Sequence, residues 1–244
     1  MSKYFETIEQ MEKDPLLDSE PMAASAAATE FRAGRQQWAA EEALSIVQTV
    51  FQRQSQEQPR VVVFAGVDHG SGCSQICATV AESLARHRTT RVCLVEANFR
   101  SPALPAIFGT TNHFGLTNAL LGAGPICCFA KPVVQDNLWL LSAGACTEDS
   151  PNLLTSDNLR ERVKEMRKDF DSVIIDAPPL TRYSDAVVLG QLSDGLVLVL
   201  EAGTTRREAA FAAAKTLRSA NIPILTAVLN KRTFPIPKSV YRMV

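Results

Sequence analysis

An apolar run, Val61-Val62-Val63-Phe64-Ala65, is followed by Gly66-Val-Asp-His-Gly-Ser-Gly-Cys-Ser74 and then by apolar residues at Ile76, Cys77, Val80 and Leu84. The β-branched run reads as a buried strand, and the later spacing reads as one face of a helix. A glycine-rich turn between a strand and a helix aims successive backbone N–H groups at one point, the way a P-loop holds phosphate. The pattern G-x-x-x-x-G-K-[ST] is read here at Gly66, Gly72 and Ser74, with Cys73 in the lysine position.

The substitution changes the chemistry of the loop. A lysine there reaches the β- and γ-phosphates, and a hydrogen bond to a charged group contributes about 1.5–3 kcal/mol. A thiol supplies no positive charge, and a helix N-terminus is expected to push Cys73 toward thiolate. Asp68 adds a negative charge, which His69 offsets in part when protonated. What remains is a backbone cradle at Gly70, Ser71 and Gly72, and the Ser74 hydroxyl placed to touch a magnesium ion. The competing reading is a strand-to-helix turn with no ligand.

With 244 residues, 46% of them hydrophobic, the chain can bury one sizeable core plus an appendage. A formal net charge of −1 argues against a general nucleic-acid binder. The six cysteines include no C-x-x-C pair and there are three histidines, so a zinc site is not expected. Cys73 and Cys77, one helical turn apart, read as small packing residues, and the pattern suits a reducing cytoplasm. No stretch reaches the length of a membrane span, and the acidic N-terminus (Glu6, Glu9, Glu12, Asp14) does not read as a signal peptide.

Residues 1–13 suggest a short helix, with Phe5, Ile8 and Met11 on one face, and Asp14 to Thr29 reads as a tether. The expected division is residues 1–36, helix and tether, and residues 37–244, the main domain. That domain opens with a helix from Gln37 to Gln54, its apolar stripe at Ala40, Leu44, Val47 and Phe51. Strands are then expected at Arg91–Glu96, Leu138–Ser142, Ser172–Asp176, Gly195–Leu200 and Ile224–Asn230, the last three buried. Helices are expected at Leu116–Leu121, Ser156–Lys168 and Thr205–Ser219. Alternation of this kind predicts a doubly wound, mainly parallel α/β sheet with its ligand at the carboxyl ends of the strands. Two strands end there in acids. Asp176 closes Val173-Ile174-Ile175, a geometry that holds Mg²⁺ through water beside a P-loop, or serves only as a cap. Glu96 closes Val92-Cys93-Leu94-Val95 and either orients water or metal or is a solvated strand-end acid.

Together these stretches resemble the bacterial tyrosine kinases (BY-kinases) of capsule and exopolysaccharide assembly, within the wider MinD/ParA-like group of P-loop ATPases. The resemblance runs through Met1–Glu12, Val95–Phe108 (VEANFRSPALPAIF), Gly115–Gly122 (GLTNALLG), Asp171–Asp185 (DSVIIDAPPLTRYSD), Leu192–Glu208 and Val228-Leu229-Asn230. It implies a P-loop NTPase fold that binds ATP or ADP with Mg²⁺. By position, Gly70, Ser71, Gly72, Cys73 and Ser74 would hold phosphate, Ser74 and Asp176 the metal, and Asn230 the adenine. Asp176 and Glu96 would serve catalysis. It further implies transfer of the γ-phosphoryl group to a C-terminal tyrosine cluster, ring assembly through an E-x-x-R-x-x-R helix, and a membrane chain-length regulator as partner.

The chain departs from that pattern at several points. Cys73 replaces the lysine, and Glu96 and Asn98 stand where two aspartates are usual. The ring helix aligns with Glu42-Ala-Leu-Ser45-Ile-Val-Gln48, which lacks both arginines. Tyr241 alone occupies the C-terminal region, the other tyrosines being Tyr4 and Tyr183. The expectation is therefore a catalytically impaired regulatory homologue with weak nucleotide binding. It would be a cytoplasmic monomer or dimer, peripheral at the inner membrane through its partner. An active autokinase, its missing charge supplied by Arg100, Arg206, Lys231 or a neighbouring subunit, is the alternative. A MinD/ParA-like positioning ATPase is a further one, which Arg100-Ser101-Pro102 and Ala177-Pro178-Pro179 disfavour.

Overall fold

The structure is a computed structural model that describes residues 41–52, 58–87, 90–133 and 137–232. The expected N-terminal helix and tether, the 36/37 boundary, Tyr4 and Tyr241 lie outside these residues. Strand β1, Val61–Gly66, is buried along its whole length. Alternate side chains point to opposite faces, so Val61, Val63 and Ala65 enter one core and Val62 and Phe64 the other. A strand apolar on both faces needs cover on both, which is why the chain alternates strands with helices.

The remaining strands are β2 (Val92–Glu96), β3 (Lys131–Pro132), β4 (Leu138–Leu141), β5 (Ser172–Ala177), β6 (Gly195–Glu201) and β7 (Ile224–Asn230). They form one sheet in the order β3-β4-β2-β5-β1-β6-β7. Every pairing is parallel except β3 with β4. Helix α1 (residues 41–51) and α2 (Cys73–His87) pack on one face; α2 carries the chain from β1 to β2, past the place that β5 fills. Short helices α3 (Leu104–Ile107) and α4 (Leu116–Leu121) follow β2. Helices α5 (Asp157–Asp169), α6 (Asp185–Gln191) and α7 (Arg207–Ser219), together with α4, cover the other face. Since β1 leads into a helix on one face and β5 into α6 on the other, a crevice opens where these two strands end.

Several expectations change. The buried stripe of α1 is Ala43, Val47, Val50 and Phe51, with Leu44 half-buried; Ser45 and Gln48 are exposed. Helix α6 was not expected, because its apolar Ala186-Val187-Val188-Leu189 run merges in sequence with β6. Strand β3 was not expected either: two exposed residues, one of them Pro132, carry no alternation to read. The last strand is not buried. It lies at the sheet edge, pairs with β6 alone, and leaves Leu229 48% exposed. Among the described residues, no helix is long and apolar enough to cross a membrane.

Candidate functional site

The turn after β1 folds back onto its own strand. Five residues, Val67 to Ser71, separate Gly66 from Gly72, one more than the G-x-x-x-x-G spacer allows, so Val67 occupies the strict first position. Gly66 is required for another reason. A Cβ there would stand 2.3 Å from the Ser71 hydroxyl oxygen. Gly70 and Gly72 have φ of +85° and +81°, a left-handed backbone that side chains disfavour. The N–H of Ile76 bonds to the Gly72 carbonyl, starting α2 within the loop.

The loop is tied down from two sides. The N–H groups of Leu180 and Thr181, after β5, donate to the carbonyls of Gly66 and Val67, and the Thr181 hydroxyl adds a bond to Val67 at 2.8 Å. From β7, the Asn230 amide donates to the Ser71 carbonyl at 2.8 Å and lies against Gly72. The Lys231 ammonium donates to the Gly70 carbonyl at 2.6 Å and pairs with Glu201 at 3.1 Å. Asn230, given an adenine-reading role by position, thus braces the phosphate loop. Of the three cations considered as lysine substitutes, only Lys231 is held at the loop. Arg100 pairs with Asp185 and stacks over Tyr183 at 4.0 Å, and Arg206 is exposed beside the start of α7.

A cleft of about 290 Å³ opens beside the loop, bounded by Gly70, Gly72, Cys73, Ser74, Asn98 and Asp176. Asp176 stands at the carboxyl end of β5, buried to 1% exposure. The Cys77 thiol donates to its Oδ1 at 3.7 Å, while Oδ2 has no partner. Burial pushes the Asp176 carboxyl above its ordinary range, against the opposing pull of the hydroxyl of Ser74 and the thiols of Cys73 and Cys77.

Glu96 faces Asp176 in the β2–β5 register, which sets two carboxyl groups side by side. It is fully buried, which rules out the solvated strand-end acid, one of the two readings of its position. Its Oε2 accepts from the N–H groups of Ala103 and Leu104, both at 2.8 Å, and so caps α3; its Oε1 has no partner. Burial first, and then the charge of Asp176, push its carboxyl upward.

Cys73 is half-buried at the start of α2. The helix N-terminus does not make it a thiolate. A hydrogen bond from Cys77 pulls its pKa down, but burial and the carboxyls of Asp176 and Glu96 outweigh that pull and hold it at about 11. The position of the lysine is therefore occupied by a neutral thiol beside two acids. Sequence reading missed the part played by Cys77 and Thr181. The i, i+4 spacing of the cysteines was a usable signal, whereas nothing local marked Thr181.

No protein-family model matches the chain. Among characterised proteins, tyrosine-protein kinase YwqD of Bacillus subtilis (strain 168) is 30% identical over 173 residues, 71% of this chain and 73% of that one. The chain belongs to the bacterial tyrosine-protein kinase family. The BY-kinase fold extends to solved structures. The VpsO kinase domain superposes with a TM-score of 0.73 at 25% identity, covering 83% of this chain and 98% of that domain. The septum site-determining protein MinD of Pyrococcus horikoshii OT3, solved with Mg-ADP, shares the fold at a TM-score of 0.60 and 18% identity, over 75% and 76% of the two chains.

Proposed function

We propose that this BY-kinase homologue is a catalytically impaired, regulatory component of exopolysaccharide or capsule assembly, presenting its folded domain to a membrane chain-length regulator and binding Mg·ATP or Mg·ADP weakly. The observation that carries the impairment is Cys73. Phosphoryl transfer depends on charge stabilisation and positioning, and here a neutral thiol faces two buried carboxyl groups where the family pattern has an ammonium. Ser74, Gly70, Ser71 and Gly72 still offer a phosphate cradle, and Asp176 with Ser74 offers oxygen ligands of the kind Mg²⁺ takes. The Mg²⁺ would neutralise phosphate charge when bound; the chain's own contribution is the loop backbone and the orientation of these side chains. The membrane partner and the polysaccharide setting rest on the family resemblance. Loss of both ring arginines, at Ser45 and Gln48, supports a monomer or dimer.

The test is incubation of the purified chain with Mg·ATP followed by mass spectrometry, with Asp176→Asn as control. Negligible phosphotyrosine is expected; stoichiometric phosphate on Tyr241 that disappears in the control would overturn the impaired reading. Calorimetry should show weak Mg·ATP binding that Cys73→Lys tightens by about tenfold or more. One observation favours the second reading, an active autokinase: the Lys231 ammonium lies 2.6 Å from the Gly70 carbonyl, close enough to serve a bound phosphate after a side-chain rotation. On that reading Lys231→Ala abolishes autophosphorylation; on ours there is none to abolish.

A further inference from the structure

The phosphate loop carries a second chemistry that the BY-kinase pattern does not call for. Cys73 and Cys77 are separated by one turn of α2, so both thiols leave the same helix face. Asp176 reaches that face from β5. The two sulfurs and a carboxylate oxygen all lie within 4.8 Å of one another, and the Cys77 sulfur is 3.7 Å from Asp176 Oδ1. Ligand bonds of about 2.3 Å to sulfur and 2.0–2.2 Å to oxygen, set at tetrahedral angles, place such a pair of ligands roughly 3.5–3.7 Å apart. The Cys77–Asp176 pair already stands at that spacing.

An independent observation points the same way. Asp176 is buried to 1% exposure, yet its Oδ2 has no hydrogen-bond partner. A buried, unpartnered carboxylate oxygen is costly unless something comes to it. The groups that ease its charge are the side chains of Ser74, Cys73 and Cys77, none of them a cation. Two thiols in the set change which ion fits. A hard cation such as Mg²⁺ takes oxygen ligands, whereas thiolate with carboxylate suits zinc-class ions.

We propose that Cys73, Cys77 and Asp176 form a three-ligand site for a thiophilic divalent cation of the zinc class, with its fourth position open to the cleft. Binding forms two metal–sulfur bonds and one metal–oxygen bond and releases the two thiol protons to solvent. The net charge of the cluster is unchanged, since two positive charges enter and two protons leave. What changes is its character. Neutral thiols become ligands of a Lewis acid, and a water or a phosphate oxygen can occupy the open position. Cys73, which stands in the lysine position, and Cys77, one turn further along α2, thereby acquire a joint role. This inference goes beyond the proposed regulatory function and does not depend on whether nucleotide binds.

The full chain, freed of metal with a chelator and kept reduced, is titrated with Co²⁺ alone and then with Zn²⁺. One Co²⁺ per chain is expected, with a near-ultraviolet sulfur-to-cobalt charge-transfer band and the intense visible bands of tetrahedral cobalt. Zn²⁺ should abolish both, and a large excess of Mg²⁺ should leave them intact. Cys73→Ser and Cys77→Ser should each weaken binding at least tenfold and reduce the charge-transfer band. Asp176→Asn should weaken binding while leaving sulfur-to-metal charge transfer. Circular dichroism identifies any variant that fails to fold, and the half-buried Cys73 makes Cys73→Ser the variant on which the decision rests. Absence of stoichiometric binding, or binding indifferent to Cys73→Ser and therefore owed to Cys127, Cys128 or Cys146, would overturn the assignment.

Discussion

Two aspartates mark opposite ends of the same sheet, and their surroundings are built on opposite principles. Asp194 sits before β6, at the amino ends of the strands. Its Oδ2 accepts from the N–H groups of Arg60 and Val61 at 2.7 and 2.8 Å, and Arg167 grips both of its oxygens at 2.8 and 2.9 Å. Burial alone would raise its pKa, but the Arg167 bonds and the two backbone donors overcome that and draw it below the usual range. Asp176, at the carboxyl ends, holds one thiol hydrogen bond and one oxygen with no partner, and burial drives its carboxyl upward. Asp194 has a partner for each of its oxygens and stabilises the fold. Asp176 keeps a buried oxygen without a partner, as a site awaiting a ligand does.

The contrast can be broken most sharply at Asp194. Asp194→Ala leaves Arg167 and two backbone donors without their acceptor, so a loss of about 2–3 kcal/mol is expected, discounted because the side chain is 31% exposed. In a thermal melt this is a fall of roughly 5–10 °C. A change within a degree would show that the satisfied end contributes little.

Gly72→Ala probes the other end. The added Cβ would stand 2.4 Å from the Asn230 amide nitrogen in a backbone of φ +81°, so the brace from β7 must shift. Denaturant titration should register a loss of about 1–2 kcal/mol. An unchanged midpoint would mean that the loop relaxes without Asn230.

Asp176→Asn should act in the reverse direction to Asp194→Ala. It removes a buried charge beside Glu96, and a gain of about 1 kcal/mol in the metal-free protein is expected in urea melts. Destabilisation of the metal-free protein would place Asp176 with Asp194 as a structural acid and erase the contrast.

The smallest effect is in pH. Asp194 has a folded-state pKa below its unfolded value of about 3.9, so its stabilisation is complete above that value and is lost as pH falls toward the folded one. The stability difference between the wild-type chain and Asp194→Asn should be constant from about pH 6 to 8 and shrink below about pH 4. Curves that stay parallel into acid would assign the loss to shape rather than to charge.

Much of this was legible in the chain alone, because local patterns report local physics. The β1–turn–α2 unit, the parallel alternation and the Leu116–Leu121 helix follow from apolar spacing and glycine placement, and the acids closing β2 and β5 are visible as interruptions of apolar runs. What no local pattern contains is which strands become neighbours. Insertion of β5 between β2 and β1 is what sets Glu96 beside Asp176, and Glu96 turns from a solvated acid into a buried cap of α3 only when that segment packs over it. Placement of β7 at the edge is what brings Asn230 and Lys231 against the loop from 159 and 161 residues away. The two cysteines could be seen one turn apart in the sequence, but their meeting with the Asp176 carboxylate belongs to the tertiary fold. Such contacts depend on loop closure and side-chain burial summed over the whole domain, and that sum is not carried by any segment of the chain taken singly.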